Sequence, residues 1–415
     1  MRLLVLIVPV LLFSACMQQE SKLDPGSADF SEKARAIHEK SLVIDTHIDI
    51  PLRILRRGVD VGQRLPDGHF DLIRAKEGGL DAAFWAVYVA SDYNKPGTWE
   101  GAKGGAYARA NLIIATIDSV VRANSDLAAL ARTPEDVRRI VAEGKHAVCM
   151  GMENGAPVEG DLNKLRDLFD KGIRYITLTH AKDNHICDSS YDTRHTHKGL
   201  TAFGREMVQE MNRLGMMIDI SHVSDDAFWQ VLELSRAPLI ASHSSLRKYH
   251  DMERNMSDSM MVALAQHGGV MQYNFGSYFV SGEWAKAMDA WREQYGTEFS
   301  ALQKQYEHDP AARRQAEKEF LAKHPAPTVS IDDVVEQIDY AIKLMGIDHV
   351  GLGSDYDGVG AVPVGLDDVS TYPALTEKLL ARGYTEADIR KLNGENLLRV
   401  WQACIDTAAE MAAAE

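Results

Sequence analysis

The sequence has little cysteine and little positive charge for its size. Four cysteines occur in 415 residues and none form a CxxC pair, which excludes a disulfide scaffold and a four-cysteine zinc site. Apart from Cys16, we expect Cys149, Cys187 and Cys404 to be unpaired thiols. Lys and Arg number 45 against 60 Asp and Glu, a formal net charge of −15. So acidic a chain is not expected to bind nucleic acid or to carry a polybasic membrane patch.

The apolar run at the N-terminus is too short to cross a membrane. Residues 3–13 are apolar and are followed by Ser14, Ala15 and Cys16. A helix rises about 1.5 Å per residue and a bilayer core is about 30 Å thick, so this run resembles a signal peptide, specifically that of a bacterial lipoprotein. We expect residues 1–15 to be removed, Cys16 to be lipidated and residues 16–30 to form a tether. The alternative is an ordinary signal peptide followed by a chance cysteine.

This N-terminus predicts an exported protein, anchored by lipid in the bacterial cell envelope. It would face the periplasm or be attached to the outer membrane. The rest of the chain, residues 31–415, is then the functional part. The whole sequence is 45% hydrophobic and 25% charged, close to the average for globular proteins, which excludes wholesale disorder.

Eight short apolar runs alternate with helical patterns along the chain. The runs are residues 42–45, 82–89, 146–151, 175–178, 216–220, 238–241, 269–273 and 349–353. Continuous apolar runs are typical of parallel strands buried on both faces. Thr133 and Ser330 are predicted to begin helices, and Gly215 and Gly346 to end them. This alternation predicts an α/β fold, a (β/α)8 TIM-type barrel. A doubly wound open sheet is the alternative. Such a sheet typically has a glycine-rich phosphate-binding loop after its first strand, and this sequence has none there.

Residues 281–327 do not follow the alternation. They are rich in charged residues, Ala and Gln, and they follow the seventh predicted strand. We expect a helical insertion at this point. It is either a solvated hairpin without a chemical role, or a lid or a contact in a homodimer.

Histidines and carboxylates follow almost every predicted strand. Barrel enzymes of this architecture have their active sites at these C-terminal strand ends. The residues found there are His47, Asp49, Glu153, His180, His222, His243 and Asp355. Imidazole and carboxylate together suit Zn²⁺ or a similar divalent ion, and the lack of cysteine in the set indicates a catalytic site.

The order of these residues along the barrel predicts two metal ions. His47 and Asp49 are two positions apart at one strand end and can hold one ion. His222 and His243 follow adjacent strands and can hold the second. Glu153 lies between the two pairs in barrel order, where its two oxygens can bridge the ions. Two ions about 3.5–4 Å apart lower the pKa of a shared water, which supplies hydroxide at neutral pH.

Two strand-end residues are then left to act on a substrate. Asp355 is a candidate general acid and base. His180 is a candidate for holding or polarising a substrate oxygen.

The motifs that carry these residues resemble those of the membrane (renal-type) dipeptidases, the binuclear zinc dipeptidases of the amidohydrolase-like superfamily. The matching segments are residues 44–49 (IDTHID), 151–155 (GMENG), 175–180 (YITLTH), 218–224 (IDISHVS), 242–245 (SHSS), 254–255 (RN), 351–358 (GLGSDYDG) and 396–400 (NLLRV). They keep the family's order over about residues 41–401. The resemblance implies hydrolysis of dipeptides with loose side-chain preference, both L-Xaa-L-Xaa and L-Xaa-D-Xaa, and in some members the opening of β-lactam rings.

The resemblance also implies a role for each residue. His47 and Asp49 match the ligands of one zinc, His222 and His243 match those of the other, and Glu153 matches the bridging carboxylate. Asp355 matches the acid/base group, and His180 matches the histidine that contacts the substrate and its tetrahedral intermediate. Arg254 matches the arginine that binds the substrate's C-terminal carboxylate. The implied cofactors are two Zn²⁺, with other divalent ions as alternatives. Residues 185–198 and 281–327 depart from the mammalian pattern beside the expected pocket, which leaves the preferred substrate side chains open.

Two other functions remain as alternatives. A metal-dependent deaminase or lactonase of the same architecture would typically begin with His-x-His, where this chain has Asp49 in the second position. A non-catalytic surface lipoprotein would not need a complete ligand set together with Asp355 and Arg254.

Overall fold

Nine parallel strands form the sheet at the centre of the computed structural model, which describes residues 27–92 and 104–414. The strands are β1 (Ile44–Ile48), β2 (Ala82–Tyr88), β3 (Ala128–Leu130), β4 (His146–Glu153), β5 (Ile173–Thr177), β6 (Met217–Asp219), β7 (Ile240–Ser244), β8 (Val270–Tyr273) and β9 (Val350–Leu352). Eight of them run in the order β1-β2-β4-β5-β6-β7-β8-β9, and β3 pairs with β4 beside this path. The predicted (β/α)8 barrel is therefore confirmed, and β3 is an addition that its three residues did not reveal.

Backbone contacts between the two ends of the sheet close the barrel. The amide of Asp355 donates to the carbonyl of His47 at 3.1 Å, and the amide of Asp49 donates to the carbonyl of Tyr356 at 2.8 Å. Ile48 and Tyr356 form a parallel bridge at the same place. The seam thus joins the end of β1 to the residues that follow β9, and it brings Asp49 and Asp355 to one edge.

Sixteen α-helices surround the sheet in the described part of the chain. They are α1 (Ser27–Lys40), α2 (Ile50–Arg57), α3 (Leu72–Glu77), α4 (Gly105–Ala123), α5 (Pro134–Ala142), α6 (Leu162–Asp170), α7 (Ala202–Leu214), α8 (Asp225–Leu234), α9 (Asp258–Gln266), α10 (Ser277–Val280), α11 (Gly282–Gln305), α12 (Pro310–Lys323), α13 (Ile331–Met345), α14 (Tyr372–Ala381), α15 (Glu386–Arg390) and α16 (Asn396–Ala414). Within residues 27–92 and 104–414, none is both long and apolar enough to cross a membrane.

The predicted helix signals act as expected. The hydroxyl of Thr133 accepts from the amide of Asp136, and Ser330 forms a reciprocal capping box with Asp333. Gly215 ends α7 in the left-handed region, at φ 70°, where a side chain is disfavoured. These caps fix where the helices begin and end relative to the strands.

The end of the barrel opposite the strand-end histidines is covered by α16. Trp401 is fully buried there, and its ring lies 5.4 Å from that of Phe84 in β2. Ile44, Met217 and other residues from the barrel strands belong to the same apolar cluster. This end of the barrel is therefore filled mainly by apolar side chains.

The predicted insertion after the seventh barrel strand is helical. It consists of α11 and α12, which contact each other through Trp291, Phe299 and Phe320. The indole of Trp284 donates to the carbonyl of Pro327 at 2.8 Å and ties the two ends of the insertion together. The predicted signal peptide, Cys16 and most of the predicted tether lie outside the described residues, and α1 begins at Ser27.

Candidate metal centre

The three histidines among the predicted metal ligands converge on Glu153. Its Oε2 lies 3.4 Å from Nε2 of His47, while its Oε1 lies 3.1 Å from Nε2 of His222 and 3.5 Å from Nε2 of His243. Asp49 is on the His47 side, with Oδ2 at 3.4 Å from Nε2 of His47. Each oxygen of the Glu153 carboxylate therefore faces a different group of ligands.

The side chains that could hold an ion fall into overlapping groups. Those found in the described residues are His47 with Glu153 and His243, Glu153 with His180 and His222, and His47 with Asp49 and Asp355. Glu153 belongs to two groups and so does His47, so neighbouring ions would share ligands. All of these side chains are buried except His180, which is half-buried.

The proton of His47 is held on the nitrogen that faces away from the site. The hydroxyl of Tyr175 donates to the carbonyl of Thr46 at 3.0 Å, so its oxygen is left to accept from Nδ1–H of His47 at 2.8 Å. The lone pair of His47 is then on Nε2, which is buried and has no hydrogen-bond partner among the described residues. A histidine fixed in this tautomer by an outer partner is typical of metal ligands.

A second relay fixes the tautomer of His243. The hydroxyl of Ser242 donates to Oδ2 of Asp219 at 2.6 Å and accepts from Nδ1 of His243 at 2.7 Å. Nε2 of His243 thus carries a lone pair, and it lies 2.8 Å from Nε2 of His222. Two imidazole nitrogens this close to each other and to Glu153 suit a cation as their common partner. The donor set therefore fits a metal centre.

Burial and charge together set the protonation of the centre. Burial alone would raise the pKa of Glu153, but the nearby imidazoles, His47 foremost, hold it well below its ordinary value. Burial, reinforced by the charge of Arg254, lowers the pKa values of His222 and His243 well below theirs. Burial alone would lower the pKa of His47, but Tyr175 and the carboxylate of Glu153 hold it well above its ordinary value. Metal binding requires an ionised carboxylate and neutral imidazoles, so an ion at this centre would displace a proton from His47.

His180 lies at the open side of the centre. Its Nε2 is 3.5 Å from Oε1 of Glu153, and its ring contacts those of His222 and Tyr88 at centroid distances of 4.4 and 4.9 Å. About a fifth of its side chain is exposed, whereas His47 is fully buried. His180 is thus the histidine of the set best placed to meet a substrate.

Arg254 is buried beside the His222–His243 pair without a carboxylate partner among the described residues. Its guanidinium donates to Oγ of Ser244 at 3.0 Å and to the carbonyl of His243, and one of its nitrogens lies 3.2 Å from Nε2 of His222. Two of the acidic residues near it in sequence have other partners: Glu253 contacts His195 and the amide of Asp225, and Asp258 accepts from Tyr340. A buried cation without a counter-charge is suited to an anionic ligand.

Asp355 is oriented by an asparagine. The side-chain amide of Asn274 accepts from the amide of Gly276 at 2.6 Å and donates to Oδ2 of Asp355 at 2.8 Å. Burial, aided by the carboxylates of Asp49 and Glu153, raises the pKa of Asp355 to about 8. The arrangement leaves Asp355 able to carry a proton close to the centre.

Glycines admit the close approaches that the centre needs. A Cβ on Gly151 would lie 2.0 Å from the ring of Tyr175, and one on Gly358 would lie within 2.4 Å of Asp49 and Asp355 oxygens. Any side chain at either position would displace Tyr175 from His47 or separate the two carboxylates.

Several supporting residues were not identified from the sequence. They are Asp45, Tyr175, Asp219, Ser242 and Asn274. Asp45 is fully buried and accepts from the amides of His47 and Ser354 at 3.0 Å, so it ties β1 to the turn after β9. A polar residue inside an otherwise apolar strand was the signal that could have identified such supporting residues. It does not reveal which side chain or backbone group the polar residue contacts.

Comparisons with known proteins identify the family to which this sequence is similar. A sequence model of the membrane dipeptidase family, peptidase family M19, matches residues 31–415. An uncharacterized dipeptidase of Schizosaccharomyces pombe is 32% identical over 377 residues, which cover 88% of this chain and 81% of the yeast protein.

Solved structures of similar proteins have the same fold. The probable dipeptidase PvdM of Pseudomonas aeruginosa matches with a TM-score of 0.76 at 30% identity, over 92% of this chain and 99% of that one. A metallo peptidase of Rhodobacter sphaeroides, liganded with a phosphinate mimic of the dipeptide L-Ala-D-Ala, matches with a TM-score of 0.69 at 26% identity, over 87% and 99% of the two chains.

Proposed function

The chain belongs to the membrane dipeptidase family, peptidase family M19, and from this premise we propose that it hydrolyses dipeptides at a centre of two Zn²⁺ ions. Membership of the family makes it a metallo-dipeptidase. The observation that carries the two-ion proposal is Glu153, which directs one oxygen to His47 and the other to His222 and His243. His47 with Asp49 would hold one ion, and His222 with His243 the other.

The ions supply an acidified water as nucleophile when they are bound. The chain contributes the fixed ligand orientation, since Tyr175 and Ser242 keep the protons of His47 and His243 away from the centre. Asp355, held by Asn274, takes up a proton and returns it to the leaving amine. His180 donates to the oxygen of the attacked carbonyl as negative charge develops there.

Arg254 selects substrates with a free C-terminal carboxylate. Its guanidinium is buried and lies 3.2 Å from His222, so a carboxylate bound there is about one residue from the centre. Arginine pairs with a carboxylate through two parallel hydrogen bonds. A carboxylate bound there places the last peptide bond of the substrate at the ligands, and in a dipeptide this is the single peptide bond.

The C-terminal residue of the substrate can have either configuration in our proposal. Support comes from the Rhodobacter sphaeroides relative, whose ligand mimics L-Ala-D-Ala. We therefore propose both L-Xaa-L-Xaa and L-Xaa-D-Xaa dipeptides as substrates.

The test is to compare one dipeptide with its C-terminal amide. We expect the zinc-loaded enzyme to cleave L-Ala-L-Ala and to cleave L-Ala-L-Ala amide with a kcat/KM lower by at least about 100-fold, the scale of a lost charged hydrogen-bond pair. N-acetylated dipeptides and nucleosides serve as controls against amidase and deaminase activity. Equal kcat/KM values for the dipeptide and the amide would replace the dipeptidase assignment with that of a broader amidase.

We further propose that the protein is exported and carries lipid on Cys16, which lies outside the described residues. The apolar run of residues 3–13 before Ser14 and Ala15 supports this. A Cys16→Ser variant should leave the membrane fraction and lose labelling by a fatty-acid probe. A wild-type protein with no lipid on its mature N-terminus would refute the anchor. The homodimer stays a prediction, to be checked by sedimentation.

A further inference from the structure

The loop of residues 183–199 is fixed to the metal centre by hydrogen bonds to the segments that carry His180 and His222. The amide of Ser190 donates to the carbonyl of His222 at 2.9 Å, and the hydroxyl of Ser189 donates to the carbonyl of His180. Ser189 and Val223 also form an antiparallel bridge. The loop is therefore attached to the chain on either side of the centre, at a predicted ligand and at the predicted substrate-contacting histidine.

Two buried or half-buried carboxylates make the same loop rigid. Oδ1 of Asp183 accepts from the amide of Ser189, and Oδ2 accepts from that of Thr196, both at 2.9 Å. The fully buried Asp188 accepts from the amides of His197 and Gly199, also at 2.9 Å. Backbone bonds of this kind hold a loop in one conformation. A side chain carried on it has a fixed position.

Tyr191 projects from this loop beside the centre. Its ring centroid lies 5.8 Å from that of His222, yet 39% of the residue is exposed. Partial burial raises the pKa of its phenol to about 12, and the charges of Arg254, Asp355 and Glu153 act on it as well. An aromatic side chain is thus held beside the centre, with more than a third of the residue exposed.

The position of Tyr191 selects one part of the substrate. Tyr191 and Arg254 both contact His222, the ring at 5.8 Å and the guanidinium at 3.2 Å. In a dipeptide, the side chain nearest to the terminal carboxylate is that of the C-terminal residue. A carboxylate bound at Arg254 would therefore bring this side chain towards the Tyr191 ring.

We propose that Tyr191 is a specificity-determining residue that packs against the C-terminal side chain of the substrate and favours dipeptides in which that side chain is large and apolar. The inference rests on the proposed dipeptidase function. Covering the exposed ring removes apolar surface of both partners from water, which favours Leu or Phe over Ala at this position. The rigid loop means that little conformational freedom is lost on binding.

The test uses two dipeptides that differ only at the C-terminal side chain, L-Ala-L-Leu and L-Ala-L-Ala. We expect wild type to prefer the first, Tyr191→Ala to lower the ratio of the two kcat/KM values about tenfold, and Tyr191→Phe to keep it. L-Leu-L-Ala, which enlarges the other residue, should respond to neither change. Trp229→Ala, which removes an exposed aromatic residue of α8, is the matched control and should leave the ratio unchanged.

The ratio is independent of the fraction of active or metal-loaded enzyme, so a partly unfolded variant still gives an answer. An unchanged ratio in Tyr191→Ala, in an enzyme that cleaves both dipeptides, would refute this inference alone. A fall as large in Tyr191→Phe or Trp229→Ala would also refute it, because the ring would not be the cause. A wild-type enzyme that cleaves none of the dipeptides would instead refute the proposed function.

Discussion

Removing the hydroxyl of Tyr175 tests whether the outer partner of His47 prepares the metal centre. Tyr175→Phe keeps the ring beside Phe84, 5.3 Å between centroids, and takes away the oxygen that accepts from Nδ1 of His47 at 2.8 Å. The imidazole can then move its proton to Nε2, the atom that faces Glu153. His47 would then no longer be held in the tautomer that leaves Nε2 free to bind a metal.

The expected magnitude follows from the two hydrogen bonds lost. Outer partners of metal ligands typically contribute 10–100-fold in metal affinity, which corresponds to about 1.4–2.7 kcal/mol. The metal-free protein should also lose about 1–3 kcal/mol of stability, because Nδ1 of His47 and the carbonyl of Thr46 are left buried without this partner.

Competition with a chromophoric zinc chelator at neutral pH measures the affinity, and thermal unfolding of the metal-free protein measures the stability. Tyr273→Phe is the matched control, since Tyr273 is also fully buried in a barrel strand and donates to Gln337 at 2.6 Å rather than to a ligand. The control should lose stability and keep zinc affinity. Equal zinc affinity in Tyr175→Phe, Tyr273→Phe and wild type would refute the role given to Tyr175.

Three further predictions concern single residues. Asp355→Asn can still accept from Asn274, so the bound metal should be unchanged. The amide cannot carry the proton, and kcat should therefore fall by about 10²–10⁴-fold. A near wild-type kcat would remove Asp355 from the mechanism. The lysine of Arg254→Lys cannot pair with the substrate's C-terminal carboxylate through two parallel hydrogen bonds. We therefore expect a higher KM for dipeptides with metal content unchanged. An unaltered KM would show that the substrate's carboxylate binds elsewhere. Burial lowers the pKa of His146 to about 4, below the roughly 6.5 of an unfolded chain. The unfolded state therefore binds the proton first, and stability falls as pH drops from about 6.5 towards 4, by roughly 2 kcal/mol at pH 5. His146→Gln should reduce the loss in melting temperature between pH 7 and pH 5, and a loss as large as in wild type would contradict the burial argument.

The fold was predictable because its signals are local. Apolar runs and helix caps lie within a few residues of each other, so the alternation that defines the barrel can be read along the chain. The strand ends were less predictable. The first strand was expected at residues 42–45 but runs from Ile44 to Ile48, since the barrel interior accommodates His47 within the strand.

The ligands of the candidate centre could be proposed from the sequence, but their supports could not. His47 and Tyr175 are 128 positions apart, and Asn274 and Asp355 are 81 apart. Whether such pairs meet depends on strand register and on a glycine such as Gly151 that leaves room for the ring. The exposure of Tyr191 beside His222 likewise depends on the path of a loop that no periodic pattern describes.

The central claim is that Glu153 joins two metal ions in a dipeptide-hydrolysing centre. Its most direct test is to titrate the metal-free protein with Zn²⁺ while following both bound metal and the hydrolysis of L-Ala-L-Ala. We predict that about two ions bind per chain and that activity reaches its plateau only near the second equivalent. Full activity with a single bound ion, in a protein that never holds a second, would contradict the claim.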